Sequence, residues 1–304
     1  MTATTGGHEP TSTKAAVVVV THNTCDETLG CLATLPAAGA TEVVVVDSGS
    51  TDGTAAAVHA RYPHTRVVEL GNVGFGRAAN TGIRATSAAV VVVCNADVRF
   101  QPSAVARLAA AVVADDTVAA AGPSVVYPDG SQQASARRVP DLRTAVWHAL
   151  LGRIVPTNRW TAHYRHLDTD PAQPRDADWL SGCTLALRRD AVVEVGGFDP
   201  GYFLYVEDVD LDERLRTAGW RLRYEPTATV SHRVGASSSR QRLRSLVAHA
   251  RSLDRYHRHR SGDTVSGRLA RPFVWIGLAG WVVVTWLAER LGGRGRSATG
   301  ERIA

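Results

Sequence analysis

Between Glu207 and Glu213 the chain carries five acids in seven residues, Glu207-Asp208-Val209-Asp210-Leu211-Asp212-Glu213. The dipole at a helix start stabilises such acids by about 0.3–1 kcal/mol each, which explains some of them. Two adjacent carboxylates beside an alcohol can do more, one holding the substrate while the other takes its proton. Asp208 is read as that base and Glu207 as the supporting, acceptor-holding acid, on a helix whose Leu211 and Leu215 turn inward. A second group is Asn95-Ala96-Asp97, directly after Val90-Val91-Val92-Val93-Cys94. An isolated Asn-x-Asp is most often an Asx turn. Emerging at the end of a strand, however, the Asp97 carboxylate suits Mg2+ or Mn2+ bridging a diphosphate. His232, after Thr229-Val230-Ser231, is placed to assist the same metal or diphosphate, or else is a hydrogen-bonded surface histidine.

Further candidates stand at other strand ends. Asp47 opens Asp47-Ser48-Gly49-Ser50-Thr51-Asp52-Gly53-Thr54. Turn and cap chemistry accounts for Ser50, Thr51 and Asp52. Asp47 itself can accept the imide N–H of uracil or thymine, next to a helix N-terminus that favours phosphate. Gly71-Asn72-Val73-Gly74-Phe75-Gly76-Arg77 lacks the glycine spacing of a dinucleotide fingerprint. Its Arg77 is free to meet phosphate or a carboxylate such as Asp47. Trp179, near Ser181 and Gly182, is either core or a ring for a sugar face.

These groups need a scaffold, and β-branched runs at Ala15–Val20, Glu42–Val46, Arg66–Leu70, Ala88–Cys94 and Val118–Ala121 alternate with helix-like stretches. That pattern predicts an α/β fold with a mostly parallel sheet. The valine runs do not alternate with polar residues, as expected of strands covered on both faces. Ligands in such sheets lie beyond the carboxyl ends of the strands. Thr21-His22-Asn23, Asp47-Ser48, Gly71-Asn72 and Asn95 with Asp97 all fall there. Later segments predict a strand at Thr184–Leu187, a turn at Gly196-Gly197 and a helix over 207–218 stopped by Gly219.

A chain of 304 residues with 44% hydrophobic and 21% charged residues can bury a full core. Lys14 is the only lysine beside 33 arginines. From Arg233 onward, 14 arginines face four acids, while residues 1–232 carry a net −5. This divides the chain into a polar leader at 1–14, a body at 15–240 with halves at 15–122 and 123–240, and a basic tail at 241–304. Cys25, Cys31, Cys94 and Cys183 show neither zinc spacing nor disulfide density, which suits a reducing compartment. The leader has no apolar export region. Sixteen uncharged residues, Phe273–Ala288, include Trp275, Trp281 and Trp286, with Arg268, Arg271, Arg290, Arg294 and Arg296 on the two sides. They fall short of the ~20 that span a bilayer. Interfacial or re-entrant attachment to an anionic membrane surface is therefore expected, with a buried C-terminal helix as the alternative. A nicotinamide-dependent oxidoreductase would need the missing glycine fingerprint. No nucleic acid is expected as a partner, because an acidic body with carboxylates at its strand ends repels phosphate. A catalytically inactive sugar-binding protein is the remaining alternative.

The order of these segments from Ala15 to Ser238 resembles the inverting glycosyltransferases of family 2, which have the GT-A nucleotide-sugar-binding fold. The landmarks are Val20-Thr21-His22-Asn23, Val46-Asp47 through Thr54, Asn72 through Gly82, Asn95-Ala96-Asp97, Trp179-Leu180-Ser181-Gly182, Gly196-Gly197-Phe198-Asp199 and Tyr205-Val206-Glu207-Asp208-Val209-Asp210. Pro156 through Arg165 adds a likeness to bacterial rhamnosyltransferases acting on polyprenyl-linked sugars. The resemblance implies a metal-dependent single displacement on the cytoplasmic face of the membrane, with a C-terminal helical, membrane-associating extension. Asp208 would be the base, Asp47 would contact the donor's nucleotide base, and Asp97 would bind Mg2+ or Mn2+ with help from His232. Thr21, Asn23, Arg77 and Asn95 would complete the nucleotide-sugar site, and Trp179, Ser181, Gly182 and Glu207 the acceptor site. The donor would be dTDP-L-rhamnose and the acceptor a polyprenyl diphosphate-linked GlcNAc. His22 stands where Tyr is common, Ser48 where Asn is common, and Asn95 replaces the first acid of the D-x-D pattern.

Overall fold

The valine runs form the middle of the sheet. In the computed structural model, which describes residues 14–139, 155, 158–233, 242–261, 264, 271–272, 274–280, 282–283 and 285–286, β1 (Ala15–Thr21) is buried throughout. It lies between β2 (Glu42–Ser48) and β4 (Val90–Asn95), and β3 (Arg66–Leu70) flanks β2, all parallel. Helices α1 (Cys25–Ala38), α2 (Thr54–Arg61) and α3 (Phe75–Arg84) make the crossovers. Successive side chains of a strand point to opposite faces, so each valine run feeds two cores. Val17, Val19, Val45 and Val92 pack with Leu32, Leu35 and Val58, whereas Val18, Val44, Val46 and Val91 pack with Ala78, Ala79 and Ile83.

Beyond β4 the chain makes β5 (Val98–Phe100), α4 (Ala104–Val113), β6 (Val118–Val126), β7 (Gln132–Gln133) and β8 (Ala136–Arg137). Then follow α5 (Arg159–Tyr164), β9 (Arg175–Asp176), β10 (Trp179–Leu180), β11 (Thr184–Arg188) and α6 (Arg189–Glu194). Last come α7 (Glu207–Thr217), β12 (Arg221–His232) and α8 (Arg242–Ser261). The main sheet runs β3-β2-β1-β4-β11-β6-β12-β5, with β11 wedged antiparallel between β4 and β6. Separately, β8 and β10 pair as a short ribbon that sets Arg137 opposite Trp179.

The sequence expectation ended β6 at Ala121. The strand instead continues to Val126, and its pairing with β12 shifts register between Glu225 and Thr229, opposite Pro123-Ser124. A proline is tolerated in a strand at such an irregularity. The leader before Lys14 lies outside the described residues, as do Arg268, Trp281, Arg290, Arg294 and Arg296.

Helix α3 sits so close to the sheet that a Cβ at Gly82 would collide with the Val18 side chain and come within 3.1 Å of Val46 Cγ2. Both valines are in the buried sheet and have no room to yield. Gly82→Ala should therefore destabilise the protein by ~1–3 kcal/mol, despite alanine's better helix propensity. A lower urea midpoint at unchanged slope is the expected result; a higher midpoint would contradict the tight approach.

Candidate functional site

Register fixes the rim. Thr21 pairs with Asp47 across β1 and β2, and Val20 pairs with Asn95 across β1 and β4, so three expected donor-site residues emerge together. Asp47 is 3% exposed and its Oδ1 accepts the Ser50 amide at 2.8 Å. The adjoining loops are laced to one another. Asn23 donates its backbone N–H to Ser50 Oγ, and its side-chain oxygen accepts the Thr51 amide at 2.7 Å. His22 Nδ1 lies 2.8 Å from the Ser48 carbonyl, which can only accept; the imidazole therefore carries its proton there and turns Nε2 to the Asn23 and Asn72 amides. Thr21 Oγ1 bonds Thr24 and Thr28, so its side chain braces the start of α1. Arg77 departs from the expected contact with Asp47. It is exposed and gives Nε to the Pro200 carbonyl at 3.0 Å, because the loop after Gly197 folds over the start of α3.

Asp97 occupies the tight turn from β4 to β5, and β5 pairs with the end of β12 so that Val98 meets His232. That register brings His232 Nε2 to 3.2 Å from Asp97 Oδ1, while its Nδ1 faces Gln133 Oε1 at 3.3 Å. Burial by itself would lower the imidazole's pKa; the neighbouring Cys183 and Asp97 outweigh it and hold it at about 10. A carboxylate and an imidazole converging on one point, with Asn95 nearby, offer a hard O/N donor set suited to Mg2+ or Mn2+. Binding a cation there requires His232 to surrender its proton. The described residues also group Asp199, Asp210 and His259 within 4.8 Å. Their charges are already answered by Arg255, which binds Asp199 at 2.8 Å, and by Arg214, which binds Asp210 at 2.8 Å.

The acids of α7 divide their work by helical phase. Asp208 and Asp212, four apart, share the face turned to the segment after β10. Asp212 Oδ2 accepts the Leu180 amide at 2.7 Å, and Asp208 Oδ2 accepts the Gly182 amide at 2.8 Å. A Cβ at Gly182 would lie 2.9 Å from Asp208 Cβ, so the approach depends on glycine. Asp210 faces the other way and accepts Tyr202 Oη–H. Glu207 is 6% exposed, lies against the start of α3 at Gly76, and has one carboxyl oxygen, Oε2, without a hydrogen bond. Burial raises Asp208, and burial together with Asp208 raises Glu207 to about 8. Just before them, Tyr205 and Val206 both adopt positive φ, 67° and 69°. For a β-branched residue this is strained backbone, held by surrounding contacts. Helix α8 supplies some of these contacts through Arg255–Asp199 and through Ser252 Oγ, which donates to the Leu204 carbonyl.

Gly182-Cys183 joins the two centres. The Gly182 amide holds Asp208, the Cys183 carbonyl accepts the Asn95 amide at 3.0 Å, and the Cys183 thiol touches His232. Asp208, with Glu207 beside it, is thereby linked through Gly182-Cys183 to the Asp97–His232 pair. Ser181 donates its amide to the Ser135 carbonyl, and Trp179 sits beneath the Arg137 guanidinium, 4.6 Å from its ring centre. Arg137, Gln133 and Cys183 were not singled out from sequence. Arg137 is 7% exposed and its charge acts favourably on Asp208. Its two-residue strand carries no periodicity, so only the β8–β10 pairing reveals it.

Comparison with known proteins fits this geometry. The sequence model described as Glycosyl transferase family 2 matches residues 16–196. The N-acetylglucosaminyl-diphospho-decaprenol L-rhamnosyltransferase of Mycobacterium tuberculosis is 40% identical over 222 residues, covering 69% of this chain and 72% of that one. Rhamnosyltransferase WbbL of Escherichia coli is 38% identical over 79 residues, 26% of this chain and 30% of its own. Among solved structures, the mannosyltransferase of Pyrobaculum calidifontis with GDP-Man and Mn2+ superposes with TM-score 0.53 at 21% identity, over 93% of this chain and 76% of that chain. GalNAc-T7 with UDP, GalNAc and Mn2+ gives TM-score 0.54 at 18% identity, over 74% and 44%. These two establish likeness of fold.

The buried acid pair has a measurable signature. Unfolded Glu207 ionises near its ordinary 4.5, whereas the folded protein holds the proton to about 8. The stability it contributes is full below 4.5 and is lost as pH rises toward 8. Without ligands, Glu207→Gln should melt above the parent protein at pH 8, with the gap closing as pH falls toward 4.5. Scanning fluorimetry that finds the gap independent of pH would refute the shift.

Proposed function

Since the chain belongs to glycosyl transferase family 2, we propose that it is an inverting rhamnosyltransferase, moving L-rhamnose from dTDP-L-rhamnose to a polyprenyl diphosphate-linked GlcNAc. The observation that supports the reading is the Gly182-Cys183 step, whose amide holds Asp208 and whose thiol touches His232, the partner of Asp97. The choice of sugars is supported by the mycobacterial relative, whose name specifies an L-rhamnosyl transfer to a decaprenyl diphosphate-linked GlcNAc.

Asp208 takes the acceptor hydroxyl proton as that oxygen bonds to the anomeric carbon, and the bond from that carbon to the dTDP oxygen breaks. Attack from the opposite side inverts the centre. The Gly182 amide fixes one Asp208 oxygen, and burial raises its basicity toward the working pH. Glu207 holds the acceptor sugar beside it, with Trp179, Ser181 and Gly182 lining that side. Asp47 accepts the imide N–H of the thymine, and the Thr21–Asn23 and Asn95 loops frame the nucleotide. Asp97 and His232 would hold Mg2+ or Mn2+, which when bound offsets the charge of the departing diphosphate. Positioning and charge stabilisation supply most of the rate, since no covalent enzyme intermediate is needed.

The substrate lipid calls for a membrane surface. Among the described residues no helix is long and apolar enough to cross a bilayer. Trp275, Ile276 and Val283 are nevertheless 43%, 70% and 53% exposed. These side chains would rest in the headgroup boundary, with Arg271 meeting anionic lipid.

Asp208→Asn should lower kcat by roughly 10²–10⁴-fold while dTDP binding is kept; near-normal turnover, measured by product mass and linkage, would remove Asp208 as the base. The full-length protein should also sediment with vesicles containing anionic lipid, and Trp275→Ser with Ile276→Ser should release it. Equal recovery of both proteins in the supernatant would remove the surface contact.

A further inference from the structure

Behind the β8–β10 ribbon lies a hollow of about 120 Å³, lined by residues outside the Asp97–His232 and Glu207–Asp208 pairs. Gln132, Gln133, Arg165, His166, Arg175 and Tyr224 supply its polar lining, and no carboxylate lines it. Arg175 spreads over the Tyr224 ring at 4.1 Å and gives Nη1 to the Asp170 and Gln173 carbonyls, while its buried Nε has no hydrogen-bond partner. Among the described residues it has no carboxylate at ion-pair distance. His166 is 8% exposed, stands at φ 54°, and its buried Nδ1 likewise finds no partner. Burying donors and charge this way costs free energy unless a counter-charge arrives.

We propose that this hollow is a binding site for a diphosphate group, held by Arg175, Arg165 and His166. Guanidinium forks match phosphoryl oxygens, and an imidazole N–H can donate to a third. The charges around the site agree with an anionic guest. Burial lowers the pKa of Arg165, helped by the neighbouring Arg137, and burial lowers Arg175, with Arg138 acting the same way against Tyr224, Asp168 and Asp170. His166 is brought to about 4 by burial and by Arg138 and Arg175, which outweigh Asp168 and Asp178.

The hollow also backs directly onto the reaction site. Ser135, in its wall, accepts the Ser181 amide, and Gln133 reaches His232. One ribbon therefore separates it from the segment that holds Asp208. The diphosphate of a lipid-linked sugar acceptor is one source, and this assignment rests on the transferase reading; a free phosphoryl anion is the other. The pocket itself rests on neither.

The test uses the full-length protein and inorganic pyrophosphate in EDTA, where a metal-dependent donor site cannot compete, with calorimetric titration as readout. Saturable binding is expected, weakened roughly tenfold or more by Arg175→Gln and by His166→Asn. Arg175→Lys, which keeps the charge, should bind within a few-fold of the parent, while dTDP affinity with Mg2+ stays constant across the set and shows that each variant is folded. No pyrophosphate binding, or equal binding by all variants, overturns the proposal. A rise in KM for a short-chain prenyl diphosphate-linked GlcNAc, at unchanged donor KM, supports the site with the lipid as its source. Lost pyrophosphate binding at unchanged acceptor KM supports it with a free anion as source. Failure to transfer any sugar would defeat the transferase reading alone, because the titration decides the pocket without turnover.

Discussion

The hydrogen bond from the Gly182 amide to Asp208 joins the two halves of the protein's chemistry. It exists because β11 enters the sheet antiparallel, between β4 and β6, and so delivers its leading turn to the rim where the parallel strands end. Gly182 then meets the acid of α7 while Cys183, one residue on, meets the end of β4 and His232. A side chain at position 182 would push the helix away. The separation of Asp208 from His232 is thus set by backbone, the stiffest material available.

Around this joint the electrostatics are deliberately unbalanced. Two acids at the start of α7 are buried deeply enough to hold protons more tightly than free carboxylates do. Beside Cys183, the His232 imidazole is held in its charged form against Asp97. Each group is out of its ordinary protonation range, a state usual where substrates are to supply the missing partner. Of the later acids of α7, Asp210 meets Tyr202 and Arg214, and Asp212 accepts the Leu180 amide through Oδ2 while its buried Oδ1 has no hydrogen-bond partner. These contacts fix the helix, while Glu207 keeps its Oε2 without a hydrogen bond.

Much of this was legible in the residues. Unbroken valine runs identify central strands, and the polar residues that follow them converge at one rim, as Thr21, Asp47 and Asn95 do. The acids of α7 were recognisable as a group, but their separate tasks were not, since a helix wheel cannot tell which face meets Leu180 and which meets Tyr202. The pairing of Asp97 with His232 depended on β5, a three-residue strand with no pattern of its own. Arg137 and the Arg175 hollow depended on two-residue ribbons that only tertiary pairing creates. Nothing local reveals that the segment carrying Pro200 folds back over α3 and takes the Nε of Arg77.

Helix α8 has a bearing on how such enzymes diversify. Its Arg255 grips Asp199 and its Ser252 caps Leu204, on the loop whose last two residues, Tyr205 and Val206, lead directly into the reactive acids. A lineage that exchanged its C-terminal region to suit a new lipid environment would have to inherit Asp199's partner along with it, or retune the loop. The C-terminal region and the loop ahead of α7 are thereby transmitted as one heritable unit, and chimaeras joined ahead of α8 must respect that linkage.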